Sequence, residues 1–81
     1  MDERTFQSMM LRARTLAHLD AEHADYWTGY QRGLRRHYHG DRFGTDEEHA
    51  QWMAMADAPD RTRADRGRGY RDGFAGRAPS I

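Results

Sequence analysis

Gly29-Tyr30-Gln31-Arg32-Gly33-Leu34 returns forty residues later as Gly69-Tyr70-Arg71-Asp72-Gly73-Phe74. Both stretches read glycine, tyrosine, two variable residues, glycine, then an apolar side chain. A glycine inside a helix costs about 1 kcal/mol relative to alanine. Two such glycines at the same offsets, twice over, call for a compensating gain in packing or binding. Helical residues four apart share a face. Gly29 with Gly33, and Gly69 with Gly73, therefore present grooves of bare backbone. Tyr30 with Leu34, and Tyr70 with Phe74, stand beside them as ridges. Two uses fit this shape. Either the two helices of this one chain cross closely at their glycines, or one or both faces meet a partner, with aromatic and arginine side chains as anchors. A phosphate loop is not among the uses, since no strand, G-x-G-x-x-G or Lys-Ser/Thr pair accompanies the glycines.

The segments around the repeat also read as helices. Phe6, Met9, Met10, Ala13, Leu16 and Ala17 recur at 3.6-residue spacing, with Asp2 or Thr5 at the start. The stripe runs on through Leu19, His23, Tyr26, Trp27, Tyr30, Leu34 and His37. This predicts either one helix over about 4–38 or a break near Asp20, which would cap the second piece. Gly40 is a stop signal suited to a left-handed C-cap. Thr45-Asp46-Glu47-Glu48 is a capping box, with further acids in the first turn where the helix dipole favours them. Phe43 folds back on that helix, whose inner face is Ala50, Trp52, Met53 and Ala56. Pro59 ends it, and Asp60 caps a last helix carrying Ala64, Gly67, Tyr70 or Arg71, and Phe74. No alternating apolar pattern reaches strand length. The expectation is an all-α bundle of three or four helices over 1–76, with 77–81 as a flexible C-terminal tail.

The chain is 81 residues long, 37% hydrophobic and 32% charged, enough for one sparse domain with a small core. Cysteine is absent, which removes disulfides, thiol catalysis and cysteine metal sites. With nothing to staple it, self-association into a homodimer is a natural source of missing core, and the Phe6–Leu19 stripe is the natural contributor. No apolar run approaches a membrane span, and the N-terminus carries acids where a signal peptide has bases. The expected location is the cytoplasm. All thirteen cations are arginines, a residue that favours bidentate contacts and stacking. Residues 41–60 hold one arginine against six acids, whereas 61–81 hold six arginines against two acids. Such blocks attract one another within a fold or between subunits.

Catalysis finds little support, and the expectation is a protein without enzymatic activity. The two serines, Ser8 and Ser80, lack nucleophile contexts. The acids read as caps and solvated surface, and a chain of this length offers no large concave pocket. The five histidines do not share a face at ligand spacing, and no H-E-x-x-H is present, so neither a metal nor another cofactor is expected. A small-molecule substrate is not expected either.

The second copy of the repeat carries a resemblance. Arg68-Gly69-Tyr70-Arg71-Asp72-Gly73-Phe74-Ala75-Gly76 resembles the R-G-Y-x-x-G-x-x-G stretch of the ribosome modulation factor family and its short relatives. Those are small helical bacterial proteins that bind ribosomal RNA and hold ribosomes inactive. The resemblance implies an RNA-facing role for Arg68, Tyr70 and Arg71. It spans nine residues of 81. Members of that family are strongly basic, and this chain is neutral.

Two functional expectations follow. The first is a small non-enzymatic adaptor or regulator acting through protein–protein contact, itself included as a partner. Trp27, Tyr30, Trp52, Tyr70 and Phe74 would be its contact residues. The second is an RNA- or ribosome-associated factor that grips phosphates with Arg61, Arg63, Arg66, Arg68 and Arg71 while Tyr70 stacks on a base. Zero net charge weakens long-range attraction to nucleic acid and favours the first.

Overall fold

A computed structural model describes all 81 residues and contains four α-helices and no strands. The helices are α1 (Glu3–Leu19), α2 (Ala24–His39), α3 (Asp46–Met55) and α4 (Arg61–Phe74). Short 3-10 turns at Ala21–His23 and Gly40–Arg42 flank α2. No helix is long and apolar enough to cross a membrane.

Each boundary has a local cause. The Asp2 carboxylate accepts the Thr5 N–H at 2.8 Å and starts α1. Of the two alternatives for 4–38, the break near Asp20 is the one present, because Asp20 leaves helical dihedrals (φ −110°, ψ 71°). Its carboxylate does not cap α2. It receives the Trp27 indole N–H at 3.1 Å and lies 2.9 Å from His23 Nδ1. The indole contact, with His23, holds the Asp20 carboxyl below the usual carboxylate range. Gly40 ends α2 at φ 65°, ψ −139°, beyond the ordinary left-handed region and open almost only to glycine. The Thr45 hydroxyl accepts the Glu48 N–H at 3.0 Å. Glu48 returns only half of a capping box: one carboxylate oxygen meets the Thr45 hydroxyl and the other pairs with Arg32. Asp60 caps α4 through the Arg63 N–H.

The packing is two antiparallel hairpins side by side. In the first, Phe6 at the start of α1 stacks on Tyr38 at the end of α2, with ring centroids 4.2 Å apart. In the second, His49 near the start of α3 meets Phe74 at the end of α4, and the close of α3 at Met55–Ala56 lies against Gly67. The spatial order is α1, α2, α4, α3, and the molecule is a slab of 35 × 31 × 16 Å. Phe6, Met10, Ala13, Tyr26, Trp27, Tyr30 and Leu34 form the core between α1 and α2. Leu19 does not continue that stripe; it stands in solvent. In α3 the inward residues are His49, Trp52, Met53 and Ala56, all half-buried, whereas Ala50 is exposed. Trp52, Met53 and Ala56 lie inward as expected; only in the first turns does His49 take the place of Ala50, because it reaches Tyr70.

Residues 77–81 are attached rather than loose. Gly76, at φ 69°, and Arg77 return their N–H groups to the Gly73 and Asp72 carbonyls, each at 3.0 Å. This Schellman turn sends the chain back across α2. The buried Tyr30 hydroxyl donates to the Arg77 carbonyl at 2.5 Å, and the Ser80 N–H donates to Tyr26 Oη at 2.9 Å. Sequence composition signals the turn but not these two phenols, which lie some fifty positions upstream.

Candidate interaction surface

The repeated motif builds the junction between the hairpins. A Cβ added at Gly29 would lie 1.9 Å from the Arg66 carbonyl oxygen, and one at Gly69 2.0 Å from that of Tyr26. At Gly33 it would meet Tyr70 O at 2.2 Å, and at Gly73 Tyr30 O at 2.3 Å. Adding forty to one set of residues gives the other. The crossing is therefore pseudo-two-fold, and contact positions rise together along both helices, so α2 and α4 run parallel. Only glycine permits backbones to meet at this distance. Asp72 and Arg66 brace the crossing: Tyr26 Oη donates to Asp72 at 2.6 Å, and Arg66 Nε donates to Asp25 at 3.0 Å.

The motif's aromatic side chains point inward. Trp27, Tyr30 and Tyr70 are 5%, 2% and 2% exposed. They are core residues of this fold and offer a partner little surface. Trp52 and Phe74 are half-buried and serve the same interior, Trp52 stacking on Tyr70 at 5.6 Å. Tyr70, the expected base-stacking residue, is enclosed by Trp52, Phe74 and His49, with His49 Nδ1 2.7 Å from its hydroxyl. Burial pushes the His49 imidazole down, with the Arg36 charge adding to the effect, and pushes the Tyr70 phenol up. Burial also raises Tyr30, to about 12, with further contributions from Tyr26 and Asp72.

The arginines divide into two sets. Every candidate RNA contact on α4 already has an acid. Arg61 and Arg68 both reach Asp65, Arg63 reaches Asp60, Arg66 reaches Asp25, and Arg71 reaches Asp57. Arg71 Nε also donates to the Met53 carbonyl at 2.7 Å. Arg63–Asp60 and Arg71–Asp57 join the basic and acidic blocks of the sequence, whereas Arg61 and Arg68 are paired within the basic block itself. Arg36 spans to Asp46 and to the Phe43 carbonyl, and Arg32 lies over the Phe43 and Trp52 rings while pairing with Glu48.

The cations without a carboxylate within 4.0 Å are Arg4, Arg12, Arg14, Arg35 and Arg42. Three of them sit on α1, all exposed. The outer face of that helix also carries Leu11 and Leu19, 59% and 77% exposed. Helical spacing puts Leu11, Thr15 and Leu19 on one line, with Arg4 at one end and Arg14 beside it. Sequence reading missed this face. The signal was there: α1 has apolar residues on both sides of its wheel, and only the Phe6–Ala17 side is used by α2. The Phe6–Leu19 stripe assigned to a homodimer is thus spent inside the chain as far as Ala17. Comparison with known protein families, curated proteins and solved structures finds no match to this chain.

Proposed function

We propose that this chain is a non-enzymatic helical adaptor that binds another protein through the outer face of α1. The observation that carries the proposal is the exposure of Leu11 and Leu19 on one helix line beside arginines that have no acid. Burying each leucine contributes about 1.5–3 kcal/mol. Unpaired arginines at the edge add orientation and speed of encounter with a carboxylate-bearing surface. The preferred partner therefore presents an apolar stripe flanked by acids. A second copy of this chain is one candidate, tested by sedimentation equilibrium; a constant mass near 9.5 kDa leaves the partner as a different protein.

The RNA- or ribosome-associated reading rests on the α4 arginines and Tyr70. Each phosphate contact there would compete with a carboxylate already beside that arginine, and a stacked base would have to open the Tyr70 cluster. Affinity capture from lysate, with and without ribonuclease, separates the readings. The expected result is a ribonuclease-resistant partner lost in L11S/L19S and retained in R61A/R68A. Capture that ribonuclease abolishes, and that R61A/R68A loses while L11S/L19S retains it, would overturn the proposal.

A further inference from the structure

Between α1 and the returning C-terminal segment lies a cleft of about 170 Å³. Its lining comes from three separated parts of the chain: Met9, Arg12 and Ala13 on α1, Trp27 and Tyr30 on α2, and Ala78 with Pro79 on the return. The site therefore exists only in the folded chain with its terminus in place. The Trp27 and Tyr30 rings meet edge to face, with centroids 5.8 Å apart at 76°; both are almost wholly buried, so only narrow parts of them form the floor of the cleft. The polar groups of both rings are already used: the indole N–H goes to Asp20 and the phenol to the Arg77 carbonyl. What these residues offer a ligand is apolar surface.

Arg12 is the exception in the lining. It is exposed and has no carboxylate partner, whereas eight of the thirteen arginines do. Its charge also reaches the cleft, since it lowers the Tyr30 phenol against the larger raising effect of burial. An apolar cavity with one unpaired guanidinium on its rim matches one ligand chemistry. The apolar body of the ligand lies between Met9 on α1 and Ala78 with Pro79 on the return, above the exposed edges of Trp27 and Tyr30, and its single carboxylate takes the guanidinium fork.

We infer that the cleft bounded by Met9, Arg12, Trp27, Tyr30 and Pro79 is a binding site for a small amphipathic monocarboxylate, an arylacetate or a short branched-chain acid. This goes beyond adaptor function. It uses the flank of α1 nearest the C-terminal return, not the Leu11–Leu19 line, so either can fail without the other.

Phenylacetate is the probe. The W52F variant leaves Trp27 as the one indole, read by its fluorescence and by its indole N–H resonance. Saturable changes at Trp27 are expected. In R12M, which keeps the stem but removes the charge, phenylacetate affinity should fall about tenfold or more, the worth of a charge-assisted contact. Phenylacetamide, neutral and of the same shape, should bind weakly and equally to both proteins. Arg12 makes no ion pair, so R12M should keep the parent circular dichroism and unfolding midpoint. A Trp27 resonance that does not move with phenylacetate overturns the site. Equal phenylacetate affinity in R12M overturns the role of the guanidinium.

Discussion

At the scale of single residues, the glycines of the crossing reverse an ordinary rule. Glycine to alanine in a helix usually stabilises, by about 1 kcal/mol. At Gly69 the new methyl would lie 2.0 Å from the Tyr26 carbonyl oxygen, a backbone atom that no side-chain rotation removes. G69A is expected to destabilise by more than 2 kcal/mol, since overpacking forces two helices apart. Gly40 supplies the contrast. Nothing lies within 4 Å of its Cβ position, but its φ is 65°. G40A should cost about 1–2 kcal/mol through backbone strain alone. Urea unfolding of the two variants checks the order; a G69A protein as stable as its parent would refute the close crossing. The crossing glycines were legible in the sequence because their cost repeats at fixed offsets. The inward turn of Tyr30 and Tyr70 was not, because a G-Y-x-x-G face looks the same whether it meets its own chain or another.

At the scale of elements, the C-terminal return is the part that the sequence least reveals. Its composition reads as a fading end, and its stabilising contacts are to phenols in α2. The Tyr30 hydroxyl is buried and its acceptor is the Arg77 carbonyl. Deleting residues 77–81 leaves that donor without its partner and should cost about 1–3 kcal/mol. Changing Tyr30 to Phe in the deleted chain removes the orphaned hydroxyl and should recover part of the loss. A double-mutant cycle of Y30F and the deletion measures the coupling. Additive effects would show that the bond contributes nothing. Helix ends fared better in the reading. Asp2, Thr45 and Asp60 each cap as their residue types demand, since capping is a contact over three residues and needs no tertiary information. The one inward residue of α3 that was misplaced, Ala50 for His49, was missed for the opposite reason: it is decided by His49 meeting Tyr70, twenty-one residues away.

At the scale of the whole molecule, a one-layer slab leaves both broad sides wet, and few residues are fully enclosed. Stability therefore leans on polar contacts within the layer, and these give it a pH dependence at both ends. His49 has a folded-state value below the usual 6.5. As pH falls from 7, the unfolded chain takes the proton first, so stability drops. The thermal midpoint should decline between pH 7 and 5, and less steeply in H49Q; parallel curves for the two proteins would exclude His49 as the cause. Tyr30 acts at the other end. Its phenol is raised from 10 to about 12 in the fold. The unfolded chain loses that proton first, so stability present below pH 10 is lost as pH rises toward 12. The sequence indicated an all-helical fold, whereas the layer order α1, α2, α4, α3 depends on a pairing across half the chain.

That pairing has a kinetic consequence. Up-and-down bundles gain most of their contacts between neighbours in sequence, and such local topologies fold fastest. Here the central contact joins residues forty apart in a chain of 81. On the ribosome, α2 can pack against α1, but its bare glycine groove, a poor helix former, stays uncovered until α4 has emerged. The first hairpin is left to hold itself together during synthesis, and the chain commits to its native state only when its last helix arrives.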